Sequence, residues 1–171
     1  QVRALVVPDP VVMITNAPKR DNPRLRKSLT FTTATEDIAR TLYVSPDGSN
    51  SNDGSSRKKA IAEISCAINR AKAGDTIRIF SGHYPETVRV NSTGDHGRPL
   101  TISGAPGERV SVDGKHQLSQ GVVVSGKRNI VIGNLRIVNN FGDGGNSAAG
   151  GIVLRSAPDV KLTRIFYCSG G

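Results

Sequence analysis

Residues 121–140 lie over residues 151–170 without a gap, thirty positions on. Val122 falls on Ile152, Val124 on Leu154, Ile130 on Val160, Ile132 on Leu162 and Leu135 on Ile165, while Asn129 and Asp159 occupy the same turn. Each unit holds three short apolar strands and is too small to bury its apolar face alone. Units of this kind fold by stacking on their neighbours, so the repeat predicts a solenoid of short strands. Residues 141–150, rich in glycine, serine and alanine, then form a loop bulging from one coil.

The stretch 42–114 reads as the start of such a stack. Ile61, Ile64, Ala67, Ile68 and Ala71 recur at three- and four-residue steps, which predicts a helix over about 60–72 with one apolar stripe. Arg70 and Lys72 in the last turn and Gly74 just beyond mark its end. A strand over 76–80 follows, with Ile77 and Ile79 on one face and Arg78 on the other. Stacked strands leave their first coil with unpaired backbone and open apolar surface, and an amphipathic helix laid across that end caps it. An ordinary α/β unit is the alternative for the same pattern.

These residues carry a resemblance. Tyr43 to Gly48, Asp53-Gly54, Gly74 to Ile77, the spaced Gly82, Tyr84 and Glu86, and Pro99 to Ile102 occur in this order. The run resembles the N-terminal cap and first coils of secreted right-handed parallel β-helix proteins of the pectate-lyase-like superfamily. It is most similar to the type seen in chondroitinase B, alginate lyases and family-nine pectate lyases. One departure is that Ala60-Ile61-Ala62-Glu63-Ile64 stands where the family has Pro-Phe-x-Thr-Ile. The match covers under half of the chain and is specific for fold rather than activity.

Composition agrees with a narrow, aliphatic interior, since aromatic residues make up only 4% of the 171 residues. No apolar run approaches the roughly 18 residues of a membrane span. The chain opens at Gln1 without an initiator methionine, so either a signal peptide was removed or the start is an artificial one; the first is favoured, with an extracellular or cell-surface location expected. Residues 1–41 read as an extended basic tail or linker and 42–171 as the β-helix. In the tail, Val6, Val7, Val11, Val12 and Ile14 are candidate assembly residues that would pair with a sheet edge, while Lys19, Arg20, Arg24, Arg26 and Lys27 form a solvated basic run.

Net charge is +9, and residues 42–171 hold sixteen basic against ten acidic side chains. A basic solenoid attracts acidic polysaccharides over long range. Nucleic acid is the competing polyanion, but aromatic platforms are few and no nucleic-acid motif is present. Cys66 and Cys168 lie too many coils apart for a disulfide and read as two buried free thiols. Asn91-Ser92-Thr93 is a glycosylation sequon, meaningful only in a eukaryotic secretory pathway.

Lys127 and Arg128 precede Asn129, and Arg155 and Asp159 occupy the neighbouring repeat, so these four are the candidate binding residues, a mixed-charge patch on one side of the stack. Solvated turn residues are the plainer reading of the same four. Asp47, Ser49, Ser51 and Asp53 alternate like a calcium loop, but Asn52 stands where glycine is needed and no bidentate glutamate follows. His83, His96 and His116 read as surface histidines, and Gly142, Gly144 and Gly145 lack the strand-to-helix context of a phosphate loop. Enzymes of the resembled type cleave uronate chains by β-elimination with a lysine or arginine base and often Ca²⁺. The resemblance implies that such a cluster lies on coils beyond Gly171, so catalytic residues and any Ca²⁺ site are expected outside this stretch.

Nothing after Ile165 reads as a cap. The expectation is therefore the first portion of a longer polysaccharide lyase-like protein that binds or acts on acidic polysaccharide. The alternative is a non-catalytic structural or adhesive subunit that stacks end to end into a filament or surface layer.

Overall fold

Alternation decides which way each short strand faces, and stacking decides what it meets. The computed structural model describes residues 38–140 and 150–168. Among them run strands β1 (Thr41–Val44), β2 (Thr76–Ile79), β3 (Gly82–Tyr84), β4 (Val88–Val90), β5 (Leu100–Gly104), β6 (Val110–Asp113), β7 (Gln120–Ser125), β8 (Ile130–Val138), β9 (Gly150–Arg155) and β10 (Val160–Cys168), with one α-helix, α1 (Ile64–Arg70), and a 3-10 turn at Arg57–Lys59. All pairings between these strands are parallel. The order is β1-β2-β5-β8-β6-β3 in a seven-stranded sheet, with β10 also on β8, and β4-β7-β9 in a three-stranded one.

The seven-stranded sheet is curled. The first half of β8 pairs with β5 and its second half with β6, so one strand serves two faces. The bend falls at Asn134, whose φ is +52°, in the left-handed region that asparagine tolerates better than most residues. The chain thus makes a β-helix-like all-β fold, in which successive coils add a strand to each face. Cα partners match the sequence repeat residue for residue: Val122 with Ile152, Val124 with Leu154, Ile130 with Val160, Ile132 with Leu162 and Leu135 with Ile165.

Inward residues form aliphatic ladders through the stack. One runs Leu42, Ile77, Ile102, Ile132 and Leu162; another runs Tyr84, Val112, Ile137 and Tyr167. All are buried until β10, where Leu162 is 41% and Tyr167 53% exposed, as is Leu154 at 44% on β9. These three point inward by register and are bare because no described residue lies above them.

The first coil is closed in two ways. Gly54 and Ile61 pair with β1 by backbone, Tyr43 N–H donating to Gly54 O and Ile61 N–H to Tyr43 O, both at 2.9 Å, which covers an open edge. Helix α1 buries Ile64, Ala67 and Ile68. Its first N–H groups are satisfied from the next coil, because Glu86 accepts from Ile64 N–H at 2.8 Å and from Ser65 N–H at 3.0 Å. The helix is shorter than the expected 60–72, since Ala60 and Ile61 are drawn into the edge of β1, where Ile61 bridges Val44. It stops at Arg70 because Ala71 is already extended, at φ −79° and ψ 148°. The strand expected over 76–80 ends at Ile79.

Both cysteines are free, but the expectation of two buried thiols is corrected: Cys66 is half-buried and Cys168 exposed. Cys168 follows the outward position of Phe166 by two residues on the outermost described strand, where no described residue covers it. No helix among the described residues is long and apolar enough to cross a membrane.

Candidate functional site

Turns that recur once per coil stack into a ledge, and here the ledge joins the three-stranded sheet to the seven-stranded one. Its layers are residues 91–99, 126–129 and 156–159. Backbone groups hold them in register: Gly94 N–H donates to Arg128 O at 3.0 Å, Leu100 N–H to Asn129 O at 3.0 Å, and Ile130 N–H to Asp159 O at 3.2 Å. Thr93 adds its hydroxyl to Arg128 O at 3.0 Å. Gly94 is required for this approach, since a Cβ there would collide with the Asn129 carbonyl and lie 2.6 Å from Leu100 N.

Asn129 and Asp159 take the same left-handed conformation, at φ +52° and +57°, and so present side chains one above the other. Together with Asp95, His96, Pro99, Val131 and Lys161 they line a cleft of about 320 Å³. Asp159 therefore sits in a concave, mixed-charge setting with Asp95, Lys161 and His96. Arg128, exposed, and Lys127, half-buried, lie on the same ledge, and exposed Arg155 ends the strand that leads into it, all three outside that cleft. Of the four residues singled out in the sequence, only Asp159 lines the cleft.

The basic residues around the cleft, Lys127, Arg128 and Arg155, can attract an anion, while the cleft itself sets Asp95 and Asp159 against Lys161. Calcium takes six to eight oxygens, and among the described residues no three of His, Cys, Asp and Glu come close enough to hold a metal ion. The residues present do not fit a calcium ion, and no step is assigned to one. Asn91 is exposed, with its amide 3.3 Å from Asn69 Oδ1. The candidate assembly residues Val6, Val7, Val11, Val12 and Ile14 lie outside the described residues.

Two pairings escaped the sequence reading. His83 on β3 and Asp113 at the end of β6 meet across neighbouring strands, Nδ1 to Oδ2 at 3.6 Å. The Lys115 N–H, then the Asn139 amide and His83 itself, hold the Asp113 carboxyl below the usual carboxylate range. Their strand positions, Tyr84 against Val112, were not deducible from spacing, because the loop between β5 and β6 is longer than its counterparts. The second is Asp75, nearly fully buried, which accepts from Arg40 N–H and Nη2, both at 2.8 Å, and from Lys72 N–H at 2.9 Å.

Comparison with known proteins adds the following. No protein-family model matches the chain. It is 32% identical over 80 residues to pectate lyase PEL9 of Emericella nidulans, a match covering 46% of this chain and 19% of that protein. It is 48% identical over 50 residues to the pectate disaccharide-lyase of Dickeya chrysanthemi, covering 29% of this chain and 6% of that one. Among solved structures, a rhamnogalacturonan lyase superposes with a TM-score of 0.60 at 20% identity, over 77% of this chain and 38% of its own. The chain spans less than a fifth of the length of the curated relatives it matches. It has a pectate-lyase-like fold of stacked parallel strands, and over part of its length it is similar in sequence to two pectate lyases.

Proposed function

We propose that the chain is the cap-bearing first part of a secreted, right-handed parallel β-helix of the polysaccharide lyase type, and that it binds acidic polysaccharide of the pectate class. The observation that carries this reading is sequence similarity to two pectate lyases in a chain whose strands stack in parallel coils. Charge supports it, with sixteen basic against ten acidic side chains over residues 42–171. Lys127, Arg128 and Arg155 would draw a polyuronate toward the ledge by long-range attraction. The described residues hold no converging acidic cluster, so abstraction of the proton next to the uronate carboxylate is assigned to coils outside them.

The test is calorimetric titration of the chain with oligogalacturonate and with a neutral galactan, over a series of salt concentrations. Binding of the oligogalacturonate that weakens as salt rises, with none of the galactan, is the expected result. Equal affinity for both glycans, or for neither, would overturn the reading.

A further inference from the structure

A second concavity lies on a different corner of the coil from the ledge. Where the two faces of the seven-stranded sheet meet, the loop 105–109 and strands β8 and β10 enclose a groove of about 510 Å³, within the range of small-ligand sites. Its polar wall is made by Arg109, Arg136 and Arg164, and Phe166 and Pro106 supply apolar surface. All three arginines are exposed, and their guanidinium groups have no hydrogen-bonding or ionic partner among the described residues. The one carboxylate in the lining, Glu108, is already engaged by the Ser81 N–H at 3.1 Å, by the Ser81 hydroxyl and by Arg57 Nη1 at 3.4 Å. The groove is therefore open and sets three arginines against one carboxylate that is engaged from outside it.

Two further features mark it. Arg136 and Phe166 are direct register partners on neighbouring strands, both exposed, so the two side chains leave backbones that stand roughly 5 Å apart along the stack. Phe166 stays 66% exposed on this outward face, unlike Leu162 and Tyr167, which point inward. Arg164 occupies the left-handed bend at φ +51°, where the preceding coil uses Asn134 at φ +52°. A long side chain costs more there than asparagine does, and strain of this kind gathers where a side chain has a task.

We infer that this groove binds a carboxylate-bearing pyranose, with the guanidinium groups of Arg136, Arg164 and Arg109 on the carboxylate oxygens and the sugar face on Phe166. Planar guanidinium forks match carboxylates in bidentate fashion, and an exposed aromatic ring offers the flat apolar surface that a sugar face needs. The site is separate from the turn ledge and deepens the acidic-glycan reading, on which the choice of ligand rests.

The experiment is a titration of the isotope-labelled chain with trigalacturonate, followed by backbone amide shifts, on the wild type and on Arg136→Ala and Arg164→Asn variants. Arg164→Asn copies the residue of the preceding coil, so it removes the charge while relieving the bend and keeps the fold. The expected result is saturable shifts at 105–110, 134–136 and 164–166, weakened about tenfold or more by either variant. The methyl-esterified trisaccharide, which keeps the rings and loses the charge, shifts none of these amides. Shifts confined to 95–97, 128–131 and 159–161 would overturn the groove and leave the ledge standing, whereas no shift anywhere would overturn both. Unchanged affinity in Arg164→Asn, equal binding of the ester, or preference for a sulfated neutral trisaccharide would each overturn the carboxylate assignment.

Discussion

Asp75 is the residue on which the first coil turns, because it ties the strand before the cap to the turn after it. Burial pushes its carboxyl up, but the Arg40 guanidinium and the N–H groups of Lys72 and Arg40 outweigh burial and hold it below the usual range. A carboxyl whose folded pKa lies below its unfolded one stabilises the fold fully above the unfolded value, and that contribution is lost as pH falls through the folded value. Stability from this group should therefore be constant from neutral pH down to about 5 and fall below about 4. Asp53, Glu108 and Asp113 are shifted in the same direction, so the acid limb of the wild type is a sum. Asp75→Asn isolates one part of it. The variant should lose about 1–3 kcal/mol at neutral pH and show a shallower acid limb, read from urea midpoints at a series of pH values. Parallel curves for the two proteins would sink the assignment. The residues 74–77 were visible as a motif, yet the role of Asp75 was not, since its partner Arg40 stands 35 positions away and no periodicity links them.

At the scale of the element, register was the most legible feature and curvature the least. A side-chain period of two together with a thirty-residue repeat leaves one in-phase alignment of β8 with β10 and of β7 with β9, because a one-residue slip would turn each apolar set outward. The helix was legible in place but not in length: Ile61 fits the apolar stripe equally well whether it is helical or bridges Val44. The groove was not legible, because Arg109, Arg136 and Arg164 meet only once β8 bends at Asn134 and the loop 105–109 folds over it. The repeat did align Arg136 with Phe166 and Asn134 with Arg164, and reading its outward positions as columns would have been the signal. The ladder itself predicts an asymmetry. Ile132 is fully buried between Ile102 and Leu162, whereas Leu162 is 41% exposed. Ile132→Ala should cost about 2–5 kcal/mol and Leu162→Ala less than half of that, measured as shifts in denaturant midpoint at unchanged slope. Equal losses would mean that Leu162 is covered in solution.

For the whole molecule, a stack in which each coil touches only its neighbours cannot be uniformly stable. Stability in such arrays is set by each unit and its two interfaces. β5 and β8 have strand partners on both sides, whereas β9 and β10 each pair on one side among the described residues. The other end is better closed, with Gly54 and Ile61 on the edge of β1 and Glu86 holding the start of α1. Local opening should therefore be graded along the axis, with the first and middle coils opening close to globally and the last opening alone. Amide hydrogen exchange measures this directly. Amides of β2 and β5 should exchange at a common slow rate, and those of β9 and β10 faster by about a hundredfold or more. A uniform rate from β2 to β10 would contradict nearest-neighbour stacking of the described residues alone, because edge strands bearing half-exposed Leu154 (β9) and Leu162 and Tyr167 (β10) can match the interior only if something covers those edges and side chains.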